Sequence, residues 1–250
     1  LTIKTDRGRT FDRFRGRIIF PLTDGAGRVI AFSGRLFPET PLTSGEMPAK
    51  YLNSPETPLY RKSAVLYGYP DAKTHIRRLN CSIVVEGQMD LVLSHQAGFK
   101  NTVALSGTAL TREQLILLKR FSPNIILAFD SDAAGEQALL RSAREALALD
   151  MDVKAVMMPE GSDPAEIIGK DPVAWRQLIK QGQQVIDFLF GSIARRGLDE
   201  RSYRRAVAHA VFPLVQRMVN TVDRSFFVSR IARNLAMTVE AVEQELARTL

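Results

Sequence analysis

Apolar residues change their spacing twice along the chain. Near the start they form two short runs, RIIFPL at 17–22 and RVIAFSGR at 28–35, separated by Asp24-Gly25-Ala26-Gly27. Two strand-like runs joined by a Gly-rich turn predict a β-hairpin. The stretch from Pro38 to Pro58 contains Pro41, Gly45, Pro48 and Pro55 and reads as irregular loop.

From about residue 79 to 170, continuous apolar runs alternate with helical spacing. Ser82–Val85, Thr102–Leu105, Ile125–Phe129 and Val153–Met158 predict strands; Met89–Gln96, Leu110–Phe121 and Ala133–Leu149 predict helices. Thr111-Arg-Glu-Gln114 has the form of a capping box. Strands alternating with helices imply a parallel sheet with right-handed crossovers, and uniformly apolar strands imply that both faces are covered. Beyond 171 only helical periodicity remains. Pro172 after Asp171 marks one helix start, and Ile186–Ile193, Tyr203–Val219, Arg224–Leu235 and Val239–Leu250 predict four more. The expected fold class is α/β, with a parallel-sheet domain over 79–170. A basic α+β subdomain over 1–78 precedes it and an all-helical subdomain over 171–250 follows.

Composition narrows the partners. The 250 residues carry 34 Lys and Arg against 27 Asp and Glu, a formal net charge of +7, which favours a polyanion such as nucleic acid. A single cysteine, Cys81, excludes an internal disulfide and a multi-cysteine zinc site, and fits a reducing, cytoplasmic compartment. No apolar run reaches the roughly 18 residues needed to cross a bilayer, so no membrane association is expected. The first residue is leucine, so a piece of a longer protein is expected. Arg195, Arg196, Arg201, Arg204 and Arg205 concentrate positive charge late in the chain, and their ordinary reading is a solvated helical face.

The candidate chemistry lies where the predicted strands end. The first ends in Glu86-Gly87-Gln88-Met89-Asp90, the third in Asp130-Ser131-Asp132, and the fourth is followed by Glu160-Gly161-Ser162-Asp163-Pro164. The second ends in Ser106-Gly107-Thr108, whose small residues suit close backbone approach. Ligands of α/β folds sit at these carboxyl ends. Clustered carboxylates repel one another and call for cations, and all-oxygen ligands suit Mg²⁺ or Mn²⁺. A second reading stands beside this one: Asp132 and Asp163 as helix caps, and Asp90 as a first-turn complement to a helix dipole.

Taken together, Glu86, Gly87, Met89 and Asp90, then Asp130, Asp132, Ala134 and Gly135, then Gly161, Asp163 and Pro164 resemble the toprim domain. That domain is shared by bacterial primases, topoisomerases and some nucleases. Further blocks look like the bacterial DnaG-type primase core: Arg13-Phe-Arg-Gly-Arg17, Phe20-Pro21, Gly27-Arg28-Val29-Ile30, Gly34-Arg35 and Lys50-Tyr-Leu-Asn-Ser-Pro-Glu-Thr57. The resemblance extends over nearly the whole chain. In that family a zinc-binding domain precedes the core and a helicase-binding domain follows it.

The resemblance implies DNA-templated synthesis of short RNA primers for replication, by metal-dependent nucleotidyl transfer from NTPs. It implies Asp130, Asp132 and Asp163 as ligands of two or more Mg²⁺ or Mn²⁺ ions, Glu86 as general base or further ligand, and Asp90 in support. Arg35, Lys50, Asn53 and Lys62 match basic and polar positions near the triphosphate. Arg13 and Arg15 match positions that guide single-stranded template, and in an extended segment Arg17 would share their face. Implied partners are single-stranded DNA and NTPs, with a replicative helicase and single-strand-binding protein reached through the full-length chain. Two departures stand out: Ala165 occupies a position commonly acidic in the family, and Gln88 one commonly aromatic. Rival readings are another toprim enzyme, a topoisomerase or nuclease, and a catalytically silent DNA-binding toprim module.

Overall fold

A computed structural model describes residues 1–4, 8–37, 49–107 and 109–248. Much of the expected loop at 38–58, together with Thr108, therefore lies outside the described residues.

Short antiparallel strands open the chain. β1 (Thr2–Lys4) pairs with β2 (Thr10–Asp12). β3 (Arg17–Thr23) and β4 (Val29–Leu36) form the expected hairpin, and β5 (Tyr51–Asn53) adds to the other edge of β4. Asp24 builds the hairpin turn, its Oδ1 accepting from the N–H groups of Ala26 and Arg28. Gly27 closes the turn at φ 84°, a left-handed conformation that glycine adopts without strain.

Helix α1 (Tyr69–Leu79) leads into the main sheet. Then follow β6 (Ser82–Val85), α2 (Gln88–Gln96), β7 (Thr102–Ala104), α3 (Arg112–Lys119), β8 (Asn124–Leu127), α4 (Ala133–Leu147) and β9 (Asp152–Ala155). The remaining elements are α5 (Pro164–Lys170), α6 (Pro172–Lys180), β10 (Gln183–Gln184), α7 (Val185–Ala194), α8 (Glu200–Gln216), α9 (Thr221–Asn234) and α10 (Val239–Arg248). The sheet order is β10-β9-β8-β6-β7, with β6 to β9 parallel and β10 antiparallel at the edge. This agrees with the α/β fold class expected. β10 is an addition, in a stretch where only helices were expected.

Burial explains the apolar runs. Ile83 and Val85 of β6 pack with Leu91, Ile168 and Trp175 on the face covered by α2, α5 and α6. Val84 of the same strand faces the larger core, with side chains from α1, α3, α4 and α7 to α10. All four residues of β6 are buried. β6 lies between β7 and β8, so the connections leaving β6 and entering β8 run to opposite sides of it. A crevice opens at such a switch in strand order, outside the carboxyl ends.

One local expectation is corrected. Residues 13–16 form a turn between β2 and β3, with Gly16 at φ 62°, so Arg13, Arg15 and Arg17 do not alternate along an extended segment. The change of direction from β2, paired with β1, into β3 of a separate sheet displaces the extended conformation. Among the described residues, no helix is long and apolar enough to cross a membrane.

Candidate active site

Three strand ends converge on the crevice. At the end of β6, the Glu86 carboxylate accepts the backbone N–H of Asp130 (3.1 Å), tying this end to that of β8. Burial raises the Glu86 pKa, with the Asp132 charge adding to it and the Asp130 N–H opposing it. Asp90, in the first turn of α2, accepts from Gly87 N–H at 2.9 Å and from Ala165 N–H at 3.1 Å. It thus joins the first acidic motif to the last. Burial pushes the Asp90 pKa up to about 6. Gly87 leaves this carboxylate its place, because a Cβ there would lie 3.0 Å from Asp90 Oδ2.

Asp130 follows β8. Burial, then the neighbouring carboxylates of Glu86, Asp90, Asp163 and Asp132, push its pKa up to about 7. Its Oδ1 is buried and has no hydrogen-bond partner among the described residues. Asp132 caps α4, accepting from Gly135 N–H at 2.7 Å, and Gly135 is the residue that lets this turn close: a Cβ there would stand 2.3 Å from the Asp130 carbonyl oxygen. Asp163 caps α5 by accepting from Glu166 N–H at 2.7 Å. Both cap readings from the sequence are therefore realised. Each cap bond is made by Oδ1, one carboxylate oxygen of two, so capping and ligation are compatible.

Opposite the acids stand Arg35, Lys50, Asn53 and Lys62, which line one cleft of about 370 Å³ together with Glu86, Asp90, Asp130 and Asp163. The basic wall is fastened to the end of β7. Asn53 donates to the Ser106 carbonyl and Lys62 to the Gly107 carbonyl, both at 3.0 Å. Ser106 and Gly107 both take positive φ, 59° and 83°, which turns these carbonyls towards the wall. Tyr51 lines the cleft as well, and burial raises its phenol pKa.

The other expected residues fall elsewhere. Asp132 lines a neighbouring cleft with Glu160, and Asp130 borders both. Glu166 pairs with Lys170. Arg13 donates twice to the Asn53 carbonyl (3.2 and 3.0 Å), and Arg17 donates to the Gly34 carbonyl (3.0 Å). Both brace the strands that carry the basic wall. Arg15 lies over the Phe11 ring, 4.8 Å from its centroid. Two features were missed in the sequence: the Ser106–Gly107 carbonyls as anchors, and Arg195 in the neighbouring cleft. The run Ser-Gly-Thr after an apolar strand signalled the first. Nothing local distinguished Arg195 from the arginines around it.

Among the described residues, no three acidic or histidine side chains already form a ready metal cage. The donor set nevertheless fits a hard divalent cation. It is all oxygen, the neighbouring carboxylates add to the burial that raises the Asp130 pKa, and Asp130 Oδ1 is a buried acceptor lacking a donor among the described residues.

Comparison with known proteins gives two family matches. Residues 1–73 match the DNA primase catalytic core, N-terminal domain, and residues 83–168 match a Toprim-like family. A DNA primase of Halalkalibacterium halodurans is 32% identical over 244 residues, covering 96% of this chain and 40% of that protein. A DNA primase domain from Pseudomonas aeruginosa superposes with a TM-score of 0.82 at 32% identity, covering 99% of this chain and 77% of the other. A DnaG primase catalytic domain bound to single-stranded DNA gives 0.78 at 30% identity, covering 94% and 73%. The chain thus spans well under half the length of the full-length relative.

Proposed function

The chain belongs to the bacterial DnaG-type primase catalytic-core family, and on that premise we propose that it joins ribonucleoside triphosphates into short RNA primers on a single-stranded DNA template. The observation that carries this reading is the single cleft that sets Arg35, Lys50, Asn53 and Lys62 against Glu86, Asp90, Asp130 and Asp163. A triphosphate needs cations on its outer phosphates and a carboxylate cluster at the reacting phosphorus.

The reaction is an in-line displacement. A 3′-oxygen bonds to the α-phosphorus of the incoming NTP, and the bond from that phosphorus to the bridging oxygen breaks. Pyrophosphate leaves with the electron pair, and the hydroxyl proton passes to a cleft carboxylate. Glu86 is that base: burial raises its proton affinity, and its bond from Asp130 N–H fixes its orientation. Lys50 and Lys62 hold phosphate oxygens as point charges, and Asn53 and Arg35 orient the nucleotide. Asp130, Asp132 and Asp163 would hold the divalent ions, Mg²⁺ or Mn²⁺, two or more, whose charge would lower the pKa of the attacking hydroxyl and offset that of the leaving oxygen. Asp90 ties the ligand loops together. Ala165, set where the family commonly has an acid, contributes its N–H to Asp90.

The net charge of +7 and the DNA-bound relative support a single-stranded template as partner, with Arg15 beside the path and Arg13 and Arg17 shaping it. A replicative helicase and a single-strand-binding protein would be reached by other parts of the whole protein. The deciding test is the product. With labelled NTPs, single-stranded DNA and Mn²⁺ or Mg²⁺, short RNA is expected; cleaved or relaxed DNA without RNA would favour a nuclease or topoisomerase.

A further inference from the structure

The cleft beside the basic wall does not stand alone. A second cleft of about 570 Å³ opens between the β8 and β9 ends and helix α7, and among the described residues that line them the two share only Asp130. Its volume suits one nucleotide. Its walls differ from those of the first: Met157, Met158 and Phe188 make it partly apolar, and Ser192 of the last turn of α7 and Arg195, its C-cap residue, line it too. Arg196 pairs with Glu136. Arg195 makes no ion pair among the described residues; its guanidinium donates only to the soft Met157 sulfur. A cation left without a carboxylate, in a cleft bordered by Asp130, Asp132 and Glu160, is suited to a phosphate that arrives with its own charge.

Joining two nucleotides needs two sites that converge on one set of carboxylates. One takes the triphosphate under attack, and the other takes the strand end that brings the 3′-hydroxyl. Building on the primer-synthesis reading above, we propose that the second cleft is the subsite for the primer's 3′-terminal nucleotide, and that Arg195 binds the phosphate linking it to the preceding residue. The apolar wall then packs against sugar and base without selecting sequence. The terminal hydroxyl reaches the acids from the side of Asp132, while the NTP reaches them from the side of Lys50 and Lys62.

The test uses a short RNA annealed to a DNA template, extended by one nucleotide. Arg195→Ala is expected to raise the KM for primer–template about 10-fold or more, the usual effect of losing a charge-assisted phosphate contact. The KM for NTP should stay at the wild-type value, and Arg195→Lys should recover part of the loss. A second arm needs no turnover: anisotropy of a labelled primer–template ending in a 3′-deoxy residue. Replacing the last primer phosphate by a neutral methylphosphonate should weaken wild-type binding as much as Arg195→Ala does, and the two losses should not add. Additive losses, an unchanged primer–template KM, or a raised NTP KM instead would overturn the subsite. Wild-type chain that extends no primer at all would overturn the functional reading and the subsite with it, whereas wild-type extension with an indifferent Arg195 would overturn the subsite alone.

Discussion

Glu86 and Asp130 stand at the ends of adjacent parallel strands, and the Glu86 carboxylate accepts the Asp130 backbone N–H at 3.1 Å. The bond needs a side-chain oxygen, whereas proton transfer needs a carboxylate. Glu86→Gln is therefore expected to keep the folded structure and thermal midpoint while lowering nucleotidyl transfer about 10²–10⁴-fold, the usual range for loss of a general base. Wild-type turnover by a folded Glu86→Gln would remove it from the proton path.

Gly135 tests the local geometry of the acidic turn. A methyl group there would meet the Asp130 carbonyl at 2.3 Å, which backbone cannot relieve. Gly135→Ala is expected to cost about 1–3 kcal/mol, as overpacking does, and to displace Asp130 and Asp132 together. Thermal unfolding and NTP incorporation should fall in step. A stable, active variant would show that the turn tolerates another backbone path.

Without divalent metal, stability should fall as pH rises from about 4 to about 7. Asp130 and Asp90 have folded-state pKa values raised to about 7 and about 6, above the roughly 4 of an unfolded aspartate. Between those limits the folded state binds more protons than the unfolded one. Raising the pH therefore costs stability, and the loss levels off only above pH 7, once Asp130 has ionised. Urea titrations in EDTA should show this slope, and Asp130→Asn should flatten it. A slope of opposite sign for the wild type would contradict the crowded-carboxylate picture.

Asp163 separates cap from charge. Its Oδ1 caps α5, and asparagine caps about as well as aspartate. Asp163→Asn should hold its thermal stability without metal, but bind Mn²⁺ more weakly and transfer nucleotides more slowly. Asp163→Ala should add about 1 kcal/mol of destabilisation. If Asp163→Asn unfolds the protein yet leaves Mn²⁺ affinity intact, the residue is structural.

Much of this arrangement was legible in the chain. Continuous apolar runs ending in Glu86, Ser106 and Asp130 marked buried parallel strands and the side on which ligands sit. Asp132 and Asp163, each just before a helical run, read as caps, and they are caps. What escaped depended on longer-range contacts. The run Arg13 to Arg17 alternates in sequence, but a turn at Gly16 and bonds to the carbonyls of Asn53 and Gly34 set its geometry. Helix α1 was not among the expected elements; Pro70 sits in its first turn, and Asn80 ends it in a left-handed conformation. β10 exists because two glutamines pair with the edge of β9, a partnership no local pattern announces.

The central claim is that the carboxylates around Asp130 carry out nucleotidyl transfer on an NTP held by the opposite wall. The most direct measurement is incorporation of labelled NTP on single-stranded DNA with Mn²⁺, comparing wild type with Asp130→Asn at equal folded concentration. Short labelled RNA is expected from the wild type and at least 100-fold less from the variant, in the range lost when a group stabilising the transition state is removed. RNA synthesis by Asp130→Asn at the wild-type rate would contradict the claim.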